Sequence, residues 1–308
     1  MRWVLAVGIV VLAALAVWLL VPWRGAPPEI AETGDAVRGE YVLRLGGCVS
    51  CHTDEKNGGQ FLAGGRALAT PFGTFHTPNI TPHPEAGIGG WSSGAFVRAM
   101  TGGISPGGHP YYPAFPYPSY TRMTRQDLVD LKAYLDTVAP IASDVPEHEL
   151  EFPFGFRPLL EGWQLLFFDE EAFAPDPDRP EIWNRGAYIV RGPGHCGECH
   201  TPRNAFGAKR EDRFLAGNPV GPDGKPVPNI TPHPEDGIGG WSKTDITFAL
   251  QTGILPDGDV LGGAMAEVVE DAVSHLTPDD RAAVAEYLLS LPPLEDAAPA
   301  PAEPAKAD

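Results

Sequence analysis

The chain has 308 residues, enough for two domains of ordinary size, and a 43% hydrophobic content that suits a globular interior. Its 34 prolines and 36 glycines point to loop-rich architecture rather than long regular elements. A net charge of −18 argues against nucleic acid or an anionic membrane surface as partner, and for a basic protein partner or simple solubility.

Residues 3–22, WVLAVGIVVLAALAVWLLVP, carry no charge and follow Arg2. At ~1.5 Å per residue a helix of this length just crosses a ~30 Å hydrocarbon core. Residues 1–28 are therefore predicted to form an uncleaved membrane anchor, with Trp3, Trp18 and Trp23 at the interfaces. The alternative is a secretory signal cut at Ala14-Leu15-Ala16, which would leave the apolar VWLLVPW as a new terminus. Either reading exports the rest of the chain and holds Arg2 on the cytoplasmic side.

The remainder is written twice. NITPHPEAGIGGWS at 79–92 returns as NITPHPEDGIGGWS at 229–242, and RGEYVLRLGGC at 38–48 resembles RGAYIVRGPGHC at 185–196. Each copy, 29–145 and 185–294, reads as a helix, a loop carrying cysteines, a long Gly/Pro-rich excursion and further helices. Short helices are predicted around 93–101 and 243–252. The last helix of copy one has Thr124 as cap and Leu128, Leu131 and Leu135 inward. Its counterpart has Thr277 as cap, Pro278 at the first position, Val284, Leu288 and Leu291 inward, and Pro292 as terminator. Strand signals are poor throughout. The joining segment 146–184 is too apolar for a free linker and is expected to pack across both copies, whereas the tail 295–308 is expected to be disordered.

All four cysteines lie in two Cys-x-x-Cys-His motifs 148 positions apart: Cys48, Cys51, His52 and Cys196, Cys199, His200. A thioredoxin-like pair would need a βαβ context, and a zinc site normally pairs its motifs at ~15–20 residues. Covalent haem attachment uses the whole pattern, two thiols adding to the porphyrin vinyl groups and the following histidine lying beneath the iron. Two covalently bound haem c groups are therefore predicted, with His52 and His200 as axial ligands. Trp91 and Trp241 are read as lining the haem pockets, with plain core packing as the alternative; His83 and His233 are read as loop histidines.

The sixth ligand decides whether each iron is closed. In copy two, Met265 ends GILPDGDVLGGAM, where a distal methionine loop is expected. The same step in copy one lands on Phe115, which cannot ligate. Met100 reads as core and Met123 as the ligand, with His109, His76 or an open iron as alternatives.

The runs GGRALATPFGTFHTPNITPHPEAGIGGW, YYPAFPYPSYTRMTRQDLVDLKAYL and WNRGAYIVRGPGHCGECHTPRN resemble the cytochrome c subunits of bacterial membrane-bound dehydrogenases acting on alcohols, gluconate and similar sugars or acids. The resemblance covers roughly 36–292. It implies a mostly α fold of tandem duplicated class I cytochrome c domains with long irregular loops, added to the N-terminal transmembrane helix. It also implies electron relay from a dehydrogenase to quinone or a terminal acceptor. Those subunits typically carry three haems and often place Met where Phe115 stands, so a shorter relative is expected. The expected function is a membrane-anchored dihaem carrier, without activity of its own, between a periplasmic dehydrogenase or quinol-oxidising complex and a respiratory acceptor such as a terminal oxidase. The alternative is a peroxidase-like dihaem enzyme with an open iron in the first domain.

Overall fold

The computed structural model describes residues 26–221 and 224–297. Its first half is built on α1 (Ala36–Leu45), α2 (Cys48–His52), α3 (Ser93–Gly102), α4 (Tyr117–Tyr120) and α5 (Arg125–Leu135). After a connecting helix, α6 (Leu159–Phe167), the second half contains α7 (Glu181–Arg191), α8 (Gly197–His200), α9 (Lys243–Thr252), α10 (Ala264–Asp271) and α11 (Pro278–Leu289).

Local chemistry sets the helix starts. Thr124 and Thr277 accept the backbone N–H of Asp127 and Asp280, each at 3.1 Å, and Ser92 and Ser242 accept those of Ala95 and Asp245, each at 3.2 Å. Helices α3 and α9 both end on a left-handed glycine, Gly103 and Gly253. In each half the first helix packs against the last at a glycine. A Cβ on Gly39 would lie 1.9 Å from the Asp130 carbonyl oxygen, and one on Gly186 would lie 2.0 Å from that of Ala283. Leu43, Leu128, Leu131 and Leu135 close the first core, and Val190, Val284 and Leu288 the second. Burying each such side chain contributes about 2 kcal/mol.

A small sheet departs from the strand-poor expectation. β1 (Ala67–Thr70) and β2 (Gly73–His76) form an antiparallel hairpin, and β3 (Glu149–Leu150) adds to β2. Strands of four and two residues are too short to show an alternating pattern in sequence. Gly73 admits the third strand, because a Cβ there would lie 2.3 Å from the Glu149 carbonyl oxygen. Beyond β3, Gln164 of α6 donates to the Gly102 carbonyl at 3.2 Å and Trp163 to that of Phe206 at 2.9 Å. The connecting segment thus touches both halves.

The halves also bond directly. The Tyr41 hydroxyl donates to Asp280 at 2.5 Å, and the Tyr188 hydroxyl donates to Asp127. Ser119 donates to Glu198 at 2.5 Å, and Glu198 in turn pairs with Lys209 at 2.9 Å and Arg203 at 2.6 Å. Among the described residues no helix is long and apolar enough to cross a membrane; the predicted anchor at 3–22 lies outside them. Residues 298–308 of the tail also lie outside them. At the start of the tail the Ala297 N–H donates to the Ala216 carbonyl at 3.0 Å, and Arg213 donates to that of Glu295.

Candidate functional site

The Cys-x-x-Cys-His motifs are single helical turns, not the loops expected from sequence. The left-handed backbone of Gly47 (φ +60°) ends the chain's run from α1 and lets α2 start at Cys48. Three residues per turn or slightly more puts Cys48 and Cys51 on one face, as it does Cys196 and Cys199. All four thiols are unpaired.

Each motif histidine is held the same way. His52 Nδ1–H donates to the Pro78 carbonyl at 2.7 Å and His200 Nδ1–H to that of Pro228 at 2.8 Å. Because a carbonyl can only accept, the proton sits on Nδ1 and the Nε2 lone pair is left available to a metal. Burial pushes both imidazoles below their ordinary value, which favours this neutral form despite the opposing carbonyl bond. The backbones on either side are also matched. Gly64 and Gly217 N–H groups donate to the His52 and His200 carbonyls at 2.8 and 2.9 Å. Thr53 and Thr201 hydroxyls accept from Leu62 and Leu215 N–H at 3.1 and 3.0 Å. Both leucines are fully buried with left-handed backbone (φ +58° and +63°).

The repeated Asn-Ile-Thr-Pro-His-Pro segment keeps the two proline carbonyls in place. Asn79 accepts from the Thr81 N–H and hydroxyl at 2.8 and 2.7 Å, and donates to the Ile141 carbonyl at 2.7 Å. Asn229 does the same with Thr231 and the Leu294 carbonyl, at 2.8, 2.7 and 2.7 Å. His83 and His233 use Nδ1 to accept the N–H of Ala86 and Asp236, each at 3.0 Å, so they cap the loop. Sequence reasoning missed Pro78 and Pro228. The signal was there: a proline precedes Asn in both copies.

Around the first motif, Cys48 and Trp91 pack on a cluster that includes Met123 (4% exposed), Met100 (6%), Tyr120 and the half-buried Phe115. Cys196 and Trp241 pack on the second core. His109 is exposed, and His76 Nε2 lies 3.4 Å from Glu149 on the sheet. Met265 was expected in a loop. It occupies the second position of α10, half-buried, because Gly262-Gly263 breaks the chain and the following AMAEVVED favours a helix. Glu267 of α10 pairs with Lys56 at 2.8 Å and Arg66 at 2.6 Å, and Arg66 also donates to the Ser50 carbonyl inside the first motif.

Burial pushes the thiols of Cys48 and Cys196 up to about 12 and that of Cys199 to about 11. A dithiol redox pair needs the opposite shift. Among the described residues no three His, Cys, Asp or Glu side chains gather to hold a bare ion. Haem suits this donor set, because the macrocycle itself supplies the equatorial nitrogens and asks the protein for thiols, one imidazole and apolar walls.

The comparisons agree. The cytochrome c family model matches residues 36–139. The chain is 43% identical over 297 residues to a dihaem c-type cytochrome of Cereibacter sphaeroides, covering 93% of this chain and 96% of that protein. It is 38% identical to the fructose dehydrogenase cytochrome subunit of Gluconobacter japonicus, covering 86% of this chain and 54% of that subunit. It is 40% identical to the cytochrome c subunit of a quinone-dependent alcohol dehydrogenase of Gluconacetobacter polyoxogenes, covering 87% of this chain and 59% of that subunit. The chain thus spans little more than half the length of those dehydrogenase subunits, but nearly all of the Cereibacter protein. Two thiol-pair turns, two histidines tied to proline carbonyls and this likeness lead to one conclusion: the chain belongs to the dihaem c-type cytochromes and carries two covalently bound haem c groups.

Proposed function

We propose that this electron-transfer protein is a tandem duplication of one cytochrome c module, tethered to the outer face of a bacterial inner membrane, and that it relays electrons from a dehydrogenase to a respiratory acceptor. The observation that carries the reading is the repeated constellation of thiol pair, histidine and proline carbonyl, present once in each half with the same partners. Bound at these sites, haem supplies a one-electron change at iron. The chain's own residues determine what that change can be used for. Cys48 and Cys51 anchor one group and Cys196 and Cys199 the other, while His52 and His200 present Nε2 in the neutral tautomer. Met123, buried in the cluster with Cys48 and Trp91, would supply a thioether to the iron of the first haem, and Met265 would do so for the second. A closed iron leaves electron transfer as the activity, and thioether ligation raises the potential relative to a second histidine.

A dehydrogenase is the natural donor, because relatives across 86–88% of this chain are named as dehydrogenase subunits. The −18 net charge favours a basic docking face on the partner, an attraction that salt weakens. The uncharged run 3–22 supports the tether. Oxidised-state absorption and EPR spectra of the protein beside Met123→Ala and Met265→Ala test the assignment. Two low-spin irons with a methionine–iron(III) band, each variant losing one contribution, are expected. A high-spin iron in the unsubstituted protein, untouched by Met123→Ala, would sink it.

A further inference from the structure

The halves meet through one contact made twice. Tyr41 and Tyr188 hold matching places in Arg-Gly-x-Tyr, and each donates to the carboxylate at the matching place in the other half's last helix, Asp280 and Asp127. Each tyrosyl oxygen also accepts from the capping threonine beyond, Thr277 at 3.2 Å and Thr124 at 3.1 Å. Such reciprocity is the mark of a twofold pair.

On a twofold axis a residue meets its own counterpart. Here that residue is the one before each first cysteine: a Cβ on Gly47 would lie 3.5 Å from His195 Cε1. Both backbones are left-handed, φ +60° at Gly47 and +38° at His195. Glycine adopts that conformation freely, whereas a histidine there is uncommon and must be held by its surroundings. Its surroundings do hold it. The His195 Nδ1–H donates to the Pro193 carbonyl at 2.7 Å, and the ring meets Tyr120 edge-on with centroids 5.4 Å apart. Tyr120 is buried, and its hydroxyl donates to the Gly46 carbonyl at 2.8 Å, one residue from Gly47. Val273 stands at the place in the second half that matches Tyr120, so this ring pair breaks the twofold relation at its centre.

We propose that His195 is a positioning residue. Seated beside Gly47 and closed over by Tyr120, it sets the separation and orientation of the two haem-bearing turns. The proposal rests on the dihaem reading and adds a determinant of how strongly the two sites communicate.

The test uses the full haem-loaded chain. His195→Gly copies Gly47, relieves the left-handed backbone and removes the ring; His195→Phe keeps a ring; Tyr120→Leu removes the partner ring. Mass should show two haems in every variant. The EPR dipolar interaction between the two oxidised irons should weaken in His195→Gly and Tyr120→Leu and return in His195→Phe. Exchange of one electron from iron(II) at one site to iron(III) at the other should slow and recover in the same order. Wild-type interaction and exchange in both His195→Gly and Tyr120→Leu would overturn the proposal, as would a Phe variant no better than the Gly variant. Fewer than two haems by mass in the unsubstituted protein would instead overturn the dihaem reading beneath it.

Discussion

Glu198 lies inside the second motif, between its cysteines, and its charge is held by both halves. Its side chain is 9% exposed, and its partners come from both halves: Lys209 at 2.9 Å, Arg203 at 2.6 Å and the Ser119 hydroxyl at 2.5 Å. Burial opposes ionisation, but the two cations and the hydroxyl outweigh it and hold the carboxyl down at about 2, against its ordinary 4.5. At about 1.4 kcal/mol per pH unit, that gap corresponds to about 3 kcal/mol of folding stability. Because the folded state binds the proton more weakly than the unfolded one, the contribution is complete above about pH 4.5 and is lost as pH falls toward 2. Glu198→Gln also leaves Lys209, itself 10% exposed, without its nearest carboxylate. Removing one partner of a buried pair costs about 3–5 kcal/mol, so the two routes agree. Urea unfolding of the haem-loaded protein at pH 7, followed by tryptophan fluorescence, should show a loss of about 3 kcal/mol. Repeated near pH 3, the difference between the two proteins should shrink. A loss under about 1 kcal/mol at pH 7, or a difference that stays constant with pH, would refute the reasoning.

Gly186→Ala should destabilise by about 3 kcal/mol or more, since the new methyl would lie 2.0 Å from the Ala283 carbonyl oxygen and force α7 away from α11; an unchanged urea midpoint would contradict this. Thr277→Ala removes the cap of α11 and should cost about 1 kcal/mol by the same assay, with spectra of both haems unaltered.

Much of the architecture was legible from residues near one another in sequence. Threonine caps before Leu128-Leu131-Leu135 and before Val284-Leu288 marked α5 and α11, because capping and amphipathic periodicity act within a few residues. Cys-x-x-Cys-His likewise carries its chemistry within five residues, and the near-identical segments at 79–92 and 229–242 pointed to a repeat without any coordinates. The β3 strand, by contrast, was invisible. Two residues carry no period, and their pairing depends on Gly73 some 76 positions earlier admitting a close backbone.

Tertiary structure alone decided the rest. The motif histidines His52 and His200 are oriented by proline carbonyls 26 and 28 residues away, a backbone acceptor that no side-chain pattern announces. Tyr41 finds Asp280 across 239 positions, and Ser119 finds Glu198 across 79. His195 sits against Gly47 and Tyr120 where the halves meet, a contact between segments distant in sequence. Amino-acid order by itself determined what each half binds, since thiol spacing and the adjacent imidazole are local covalent facts. How the two sites face each other was decided by packing, because contacts between distant segments exist only once the cores that carry them have closed.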